Sequence, residues 1–250
     1  VNSTPPQLLI PDWPAPATVR SVVTTRQSGI SQPPYDYFNL ALHVGDNEER
    51  VQANRQWLQN QFSLQQTQWL EQVHGINVVA ANYESAAAVP QADAVFTRQT
   101  QLACAVMTAD CLPVLFCSKQ GDWVGAAHAG WRGLSAGILQ QLVDFYSGKK
   151  QDLIAWLGPA IGPEQFEVGL EVKEAFQHLG SDAEAAFQLT KRPGHYLADL
   201  YWLAELQLNQ LGIDQVYGGG FCTYSDHQRF YSYRRSSQTG RMASLIWLEA

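Results

Sequence analysis

Two strongly apolar runs of strand length, Leu102–Thr108 and Leu112–Cys117, are separated only by Ala109-Asp110-Cys111. That interruption constrains the fold more than any other feature of the chain. An ionised aspartate is expensive to bury without partners, so the turn between the two strands must reach a polar cavity or the surface. Cys111 then sits at the rim of a sheet. An ordinary buried thiol beside a turn aspartate would give the same sequence.

Other elements follow from turn chemistry and apolar period. Gly45-Asp46-Asn47 ahead of Glu48 and Glu49 reads as a helix start, because Asp46 or Asn47 can accept from free amides and the glutamates suit the helix dipole. Val51, Leu58 and Phe62 share one face, which predicts a helix over Glu48–Gln61. Gln68 to Asn82 reads as two short strands hinged near His74-Gly75. Trp123–Ala127 predicts another strand, and a helix is expected from Trp131 to Tyr146, burying Leu134, Ile138, Leu142 and Phe145 and capped by Gly148. Leu153–Leu157, Phe230–Tyr233 and Met242–Leu248 read as strands. Helices are expected near Leu170–Leu179 and Leu197–Leu211, each followed by a glycine. Strands cluster rather than alternate with helices, which favours an α+β class with mixed sheets and flanking helices.

The 250 residues hold no low-complexity tract or long linker, so one domain over residues 1–250 is expected, with a Pro-rich segment over residues 1–20. An apolar fraction of 46% against 16% charged residues argues for a packed chain. The net charge of −7 repels a polyphosphate backbone, so polymeric nucleic acid is a poor partner. A local basic patch can still take a small anion. The five prolines of Val1 to Pro16 fit neither a signal peptide nor an anchor, and no run reaches the roughly 20 apolar residues of a membrane span. Cysteines 104, 111, 117 and 222 are too few for a disulfide scaffold, so a reducing cytoplasm is the expected compartment.

Three residues have metal-ligand chemistry in suitable places. His128 follows a strand and precedes a helix, beside Ala129, Gly130 and Gly133. His74 sits in a hinge, and Cys111 in the charged turn. Two imidazoles and a thiolate suit Zn²⁺ and leave a fourth position open for water or substrate. The spacings, with 36 residues between His74 and Cys111 and 16 between Cys111 and His128, match no short metal motif. A core histidine above a glycine turn remains the competing reading of His128. Arg132 and the amides after His128 can hold an anion.

Six segments carry a resemblance: Asn39-Leu40 with His43-Val44-Gly45-Asp46, Glu71-Gln72-Val73-His74-Gly75, Met107-Thr108-Ala109-Asp110-Cys111-Leu112-Pro113, His128-Ala129-Gly130-Trp131-Arg132-Gly133, Gly158-Pro159-Ala160-Ile161-Gly162, and Tyr231-Ser232-Tyr233-Arg234-Arg235. In this order they resemble the signatures of the YfiH/laccase-domain family, with its cytotoxic necrotizing factor/YfiH-like fold. Two departures are Glu164-Gln165-Phe166, where many members have cysteines, and Arg26-Gln27-Ser28-Gly29, which lacks a paired glycine.

The resemblance implies that His74, Cys111 and His128 hold Zn²⁺, with copper as the alternative. It implies phosphorolysis of adenosine, inosine and methylthioadenosine with phosphate, and a secondary adenosine deaminase activity. Asp110 is expected to orient a ligand or move a proton. Arg26, Asn39, His43, Arg132 and Arg234 are expected along the pocket, and Phe38 or Tyr233 can stack on a base or pack the core. The alternatives are a copper polyphenol oxidase, for which six histidines are few, and a Cys/His or zinc hydrolase editing peptidoglycan precursors. A purine-binding protein without turnover, or a purely structural metal, would form no product.

Overall fold

All seven residues of the strand Leu102–Thr108 are buried because alternate side chains enter different cores. Leu102, Cys104 and Val106 face one, while Ala103, Ala105 and Met107 face another. The computed structural model, which describes residues 5–250, shows why both are needed. This strand belongs to a five-stranded sheet ordered Leu8–Leu9, Val19–Thr24, Met242–Leu248, Leu102–Thr108, Gln66–Gln68. The first four residues of the Pro-rich segment lie outside the described residues; the rest contributes the edge strand Leu8–Leu9.

Leu112–Ser118 lies in a different, six-stranded sheet ordered Val216–Gly218, Leu153–Leu157, Leu112–Ser118, Val124–Ala129, Ala94–Thr97, Val78–Ala80. Its Leu115 and Cys117 meet Cys104 and Ile246 of the first sheet. Its Leu112, Val114 and Phe116 pack instead on Leu134, Ile138 and Leu142, and that core continues to Leu203 and Leu208. Outside the five-stranded sheet, Leu58 of the helix Glu48–Gln61 covers Ala103, Ala105 and Leu245. The result is four layers, helix–sheet–sheet–helix, with both parallel and antiparallel pairs in the two sheets. A third, three-stranded sheet of Glu167–Gly169, His195–Ala198 and Phe187–Leu189 lies against the helical layer. The expected α+β class with mixed sheets holds.

Two of the chain's passages between the two large sheets lie next to each other at one end. Gln66–Gln68 runs parallel to Leu102–Thr108, so Trp69–Asn77 and Ala109–Cys111 leave the five-stranded sheet side by side and re-enter the six-stranded one.

Several expected elements differ. The helix expected over Trp131–Tyr146 is two, Trp131–Ser135 and Ile138–Val143, because Gly137 takes the left-handed conformation at φ +93° and breaks the ladder. The stretch after Val143 leaves the helix; Phe145 is 53% exposed and stacks on Phe96, while Tyr146 turns in beside Trp123. Gly148 caps no helix. Leu170–Leu179 is an α-helix only to Ala175, with a 3₁₀ turn after it. The last long helix begins at Leu200, capped by Asp199, because His195–Ala198 pairs as a strand. Phe230–Tyr233 forms no strand. The Phe230 carbonyl, with those of Thr223 and Tyr224 in the neighbouring loop, is taken by the Arg235 guanidinium. Among the described residues no helix is long and apolar enough to cross a membrane. All four cysteines are free thiols.

Candidate metal centre and adjoining cavity

Both passages between the sheets are built on a left-handed residue. His74 has φ +60° and Asp110 has φ +96°, conformations that cost a non-glycine residue about 1–3 kcal/mol and persist only where the surroundings hold them. At His74 the restraint is the carboxylate of Asp93, which is fully buried. Its Oδ1 accepts from the His74 amide at 2.9 Å, and its Oδ2 from the amides of Gly75 at 2.7 Å and Val73 at 3.2 Å. At Asp110 the restraint is reciprocal. Its carbonyl accepts from the Ile161 amide, Oδ1 from the Thr223 hydroxyl at 2.7 Å, and Oδ2 from the Arg234 amide at 2.7 Å.

The same end of the six-stranded sheet supplies the third group. Leu112 pairs with Ala129 and Pro113 with His128, so Cys111 and His128 finish on adjacent strands. His128 is buried, Cys111 half-buried and His74 exposed, and one ligand atom from each lies within 4.8 Å of the others. Cys111 Sγ is 3.8 Å from His74 Nε2, and the two imidazole rings sit edge to face at 4.8 Å between centroids. A tetrahedral zinc bonded at about 2.3 Å to sulfur and about 2.0 Å to nitrogen would bring such atoms about 3.5 Å apart. The donor set therefore fits a tetrahedral metal such as zinc by chemistry, with the Cys111–His74 pair near that spacing, and it supplies three protein ligands rather than four. His128 Nδ1 is bound to Asp93 Oδ1 at 2.8 Å, which leaves Nε2 as its free ring nitrogen.

Glycine at 130 is required by this close approach. A Cβ there would lie 2.9 Å from Cys111 Sγ and 3.1 Å from His74 Cδ2. Burial opposes charge on Cys111 and His128 alike. Their attraction for each other outweighs it, with help from His74 on the thiol and Asp93 on the imidazole. The Cys111 thiol is held down to about 6 and His128 up to about 9. Asp93 also stays ionised: burial works against its charge, but His128 and the amides of Gly75 and Val73 hold its carboxyl below the usual range.

A cavity of about 380 Å³ opens over the three groups, lined also by His43, Gln72, Thr108, Asp110, Phe166, Tyr233, Arg234 and Arg241. Two guanidiniums thus face the cavity of a chain whose net charge is −7. His43 is held below the ordinary imidazole value, by burial first and then by the charges of Arg241 and Arg55. It is therefore an uncharged hydrogen-bonding group at neutral pH.

Other sequence candidates lie elsewhere. Arg26 pairs with Asp36 at 2.9 Å and covers the Tyr231 ring, away from the cavity. Asn39 is fully buried and spends its amide on Ala41, Asp46 and Arg241. Arg132 lines an adjoining groove of about 510 Å³ that shares Phe166 and Arg234 with the cavity. Phe38 packs in the core against Trp57, whereas Tyr233 faces the cavity. Asp93, which contacts the cluster, and Arg241, which lines the cavity, belong to none of the sequence motifs. The signal for Asp93 was present in Ala92-Asp93-Ala94, an acid entering an apolar strand just as Asp110 does. Arg241 stands immediately before the apolar run Met242–Leu248.

The family model described as multi-copper polyphenol oxidoreductase laccase matches residues 20–249. A Pseudomonas aeruginosa protein named as a purine nucleoside phosphorylase is 52% identical over 241 residues, covering 96% of this chain and 98% of its own. The Escherichia coli K12 protein named purine nucleoside phosphorylase YfiH is 49% identical over 243 residues, covering 97% and 99%. Among solved structures, a Neisseria meningitidis protein superposes with a TM-score of 0.93 at 47% identity over 97% of this chain and 99% of that one. YlmD from Geobacillus stearothermophilus does so at 0.88 and 30% identity, covering 94% and 93%. Matched along nearly its whole length by both sequence and fold, the chain belongs to the YfiH/laccase-domain family.

Proposed function

We propose that this protein is a zinc-dependent purine nucleoside phosphorylase, cleaving adenosine, inosine and methylthioadenosine with phosphate and deaminating adenosine as a secondary activity. The observation that carries this reading is the convergence of His74, Cys111 and His128 at the base of a cavity with two guanidiniums in its walls. Relatives at about half identity bear the phosphorylase name. His74 Nε2, Cys111 Sγ and His128 Nε2 would hold the ion, which when bound supplies Lewis-acidic positive charge beside the reacting centre.

The rest of the chemistry falls to the chain. In phosphorolysis a phosphate oxygen forms a bond to the ribose C1′ as the bond from C1′ to the purine nitrogen breaks, the base leaving with that electron pair and taking a proton. Arg234 and Arg241 neutralise the phosphate with charge-assisted hydrogen bonds. Phe166 and Tyr233 offer aromatic faces to the purine, and neutral His43 can donate to or accept from the sugar or base. Asp110, expected from sequence to move a proton, already accepts a hydrogen bond on each carboxylate oxygen. Its part here is to hold the Arg234 backbone at the cavity wall.

Arg241→Ala removes a hydrogen bond to a charged group, worth about 1.5–3 kcal/mol. The expected result is a fall of about 10- to 150-fold in kcat/KM for phosphate, measured by initial rates at varied phosphate. An unchanged phosphate dependence would remove Arg241 from the role.

A second reading makes Cys111 a nucleophile with a histidine as base, acting on an amide such as those of peptidoglycan precursors. The thiol held down to about 6 beside His128 favours it. A copper oxidase is less favoured. Among the described residues one group of this ligand type is found, and His178 and His195 spend Nδ1 on the backbone carbonyls of Ala175 and Pro193.

The deciding experiment incubates metal-quantified protein with inosine, with and without phosphate. Phosphate-dependent formation of hypoxanthine and ribose 1-phosphate, lost on chelation and restored by Zn²⁺, is the expected outcome. Free ribose indicates hydrolysis, no product indicates binding alone, and activity that survives chelation supports the cysteine nucleophile.

A further inference from the structure

Asp93 touches both histidines of the cluster in different ways. It receives the His128 ring through Nδ1 at 2.8 Å, and on the other side it receives three successive amides, those of Val73, His74 and Gly75. Its own backbone carbonyl accepts from the His128 amide at 2.7 Å. The carboxylate is completely buried, and its four hydrogen bonds use both oxygens. Burying an acid in this way is costly unless every acceptor is filled, and here they are.

The two restraints have different consequences. The bond to Nδ1 makes that nitrogen the donor, which sets the tautomer and plane of His128 and points Nε2 at the cluster. The amide bonds hold His74 at φ +60°, a conformation that an isolated histidine rarely adopts. They thereby decide where the His74 ring begins.

The geometry points to Asp93 as the shared positioning residue of the metal centre, one carboxylate that sets the ring of His128 and the backbone of His74 together. This rests on the metal reading above. Asparagine in its place offers one acceptor where two are used, so it cannot satisfy the ring and all three amides. Loss of a single outer partner of a metal ligand lowers metal affinity about 10- to 100-fold. Because both histidines depend on Asp93, Asp93→Asn is expected at the upper end of that range.

The experiment has two arms. Zinc affinity of the wild type and Asp93→Asn is measured by competition with a chromogenic chelator, at a temperature where circular dichroism shows both folded. Weakening by about 100-fold with an unchanged fold supports the assignment, and equal affinity overturns it. The second arm needs no variant: long-range ¹H–¹⁵N spectra of the wild-type histidines, with and without zinc. A slowly exchanging Nδ1 proton on His128 in both states is expected, and an unprotonated Nδ1 overturns the assignment even if Asp93→Asn fails to fold. A wild type that binds no zinc while keeping that Nδ1 proton contradicts the metal reading alone.

Discussion

Replacing Cys111 with alanine is expected to reduce phosphorolysis to background and to leave purified protein without bound zinc. The thiol is the one soft donor of the three, and without it two imidazoles on separate elements remain, one of them exposed. The loss should exceed the about 10- to 100-fold that removal of an outer partner causes. Stability should change little, because Cys111 is half-buried in a turn whose geometry is set by Asp110, Thr223 and Ile161. Cys104→Ala gives the contrast. That thiol is fully buried between the sheets, where burial pushes its pKa far up and leaves it an inert apolar group. Its replacement should lower stability through the cavity left behind, while zinc content and activity per folded molecule persist. Metal analysis and initial rates on the two variants check both halves. Full activity in Cys111→Ala would contradict the metal centre and the cysteine nucleophile alike.

Gly130→Ala is expected to have the second-largest effect. Residue 130 lies at φ −61° and ψ 155°, a conformation open to alanine. The backbone is therefore not strained, and lower unfolded-state entropy even favours the change by about 0.4–1 kcal/mol. What the methyl meets is the centre itself, with Cys111 Sγ at 2.9 Å and His74 Cδ2 at 3.1 Å. Overpacking of this kind costs about 1–3 kcal/mol. Here it falls on the placement of two proposed ligands, which corresponds to a loss of about 5- to 150-fold in zinc affinity. Gly137→Ala should behave oppositely. Its φ of +93° is unfavourable for alanine, but a Cβ there meets nothing within 4 Å. It should lower the melting temperature and leave zinc affinity unchanged. If both glycine variants lost stability and kept their metal, close approach at residue 130 would not be the reason for glycine there.

Much of this was legible in the chain. The helix Glu48–Gln61 has the expected bounds, and of the two candidate caps it is Asn47 that accepts from the Arg50 amide. The strands Leu102–Thr108, Leu153–Leu157 and Met242–Leu248 also begin and end as expected, because runs buried on both faces announce themselves without any periodicity. The misreadings share a cause. Gly137 inside an apolar helical period and Phe145 at its end satisfy local spacing, but the left-handed glycine and the stacking of Phe145 on Phe96 are tertiary facts. Phe230–Tyr233 has strand composition, yet the Phe230 carbonyl meets a guanidinium rather than a neighbouring strand.

The site divides in the same way. Residue type and turn position marked His74, Cys111 and His128, but nothing in their spacing said that two crossings between sheets would bring them to one end. Asp93 meets partners far along the chain and Arg241 reaches the cavity wall only once the chain is folded, so their sequence neighbourhoods carry only a charge beside an apolar strand. Arg26 and Asn39, both expected along the pocket, serve loop structure instead, which sequence position alone does not reveal.

Diffraction from zinc-loaded crystals, recorded on both sides of the zinc absorption edge, tests the centre most directly. A single strong anomalous peak within bonding distance of His74 Nε2, Cys111 Sγ and His128 Nε2, with a fourth position filled by solvent or phosphate, is the predicted result. A peak that omits Cys111, or a zinc closed by four protein side chains, would contradict it.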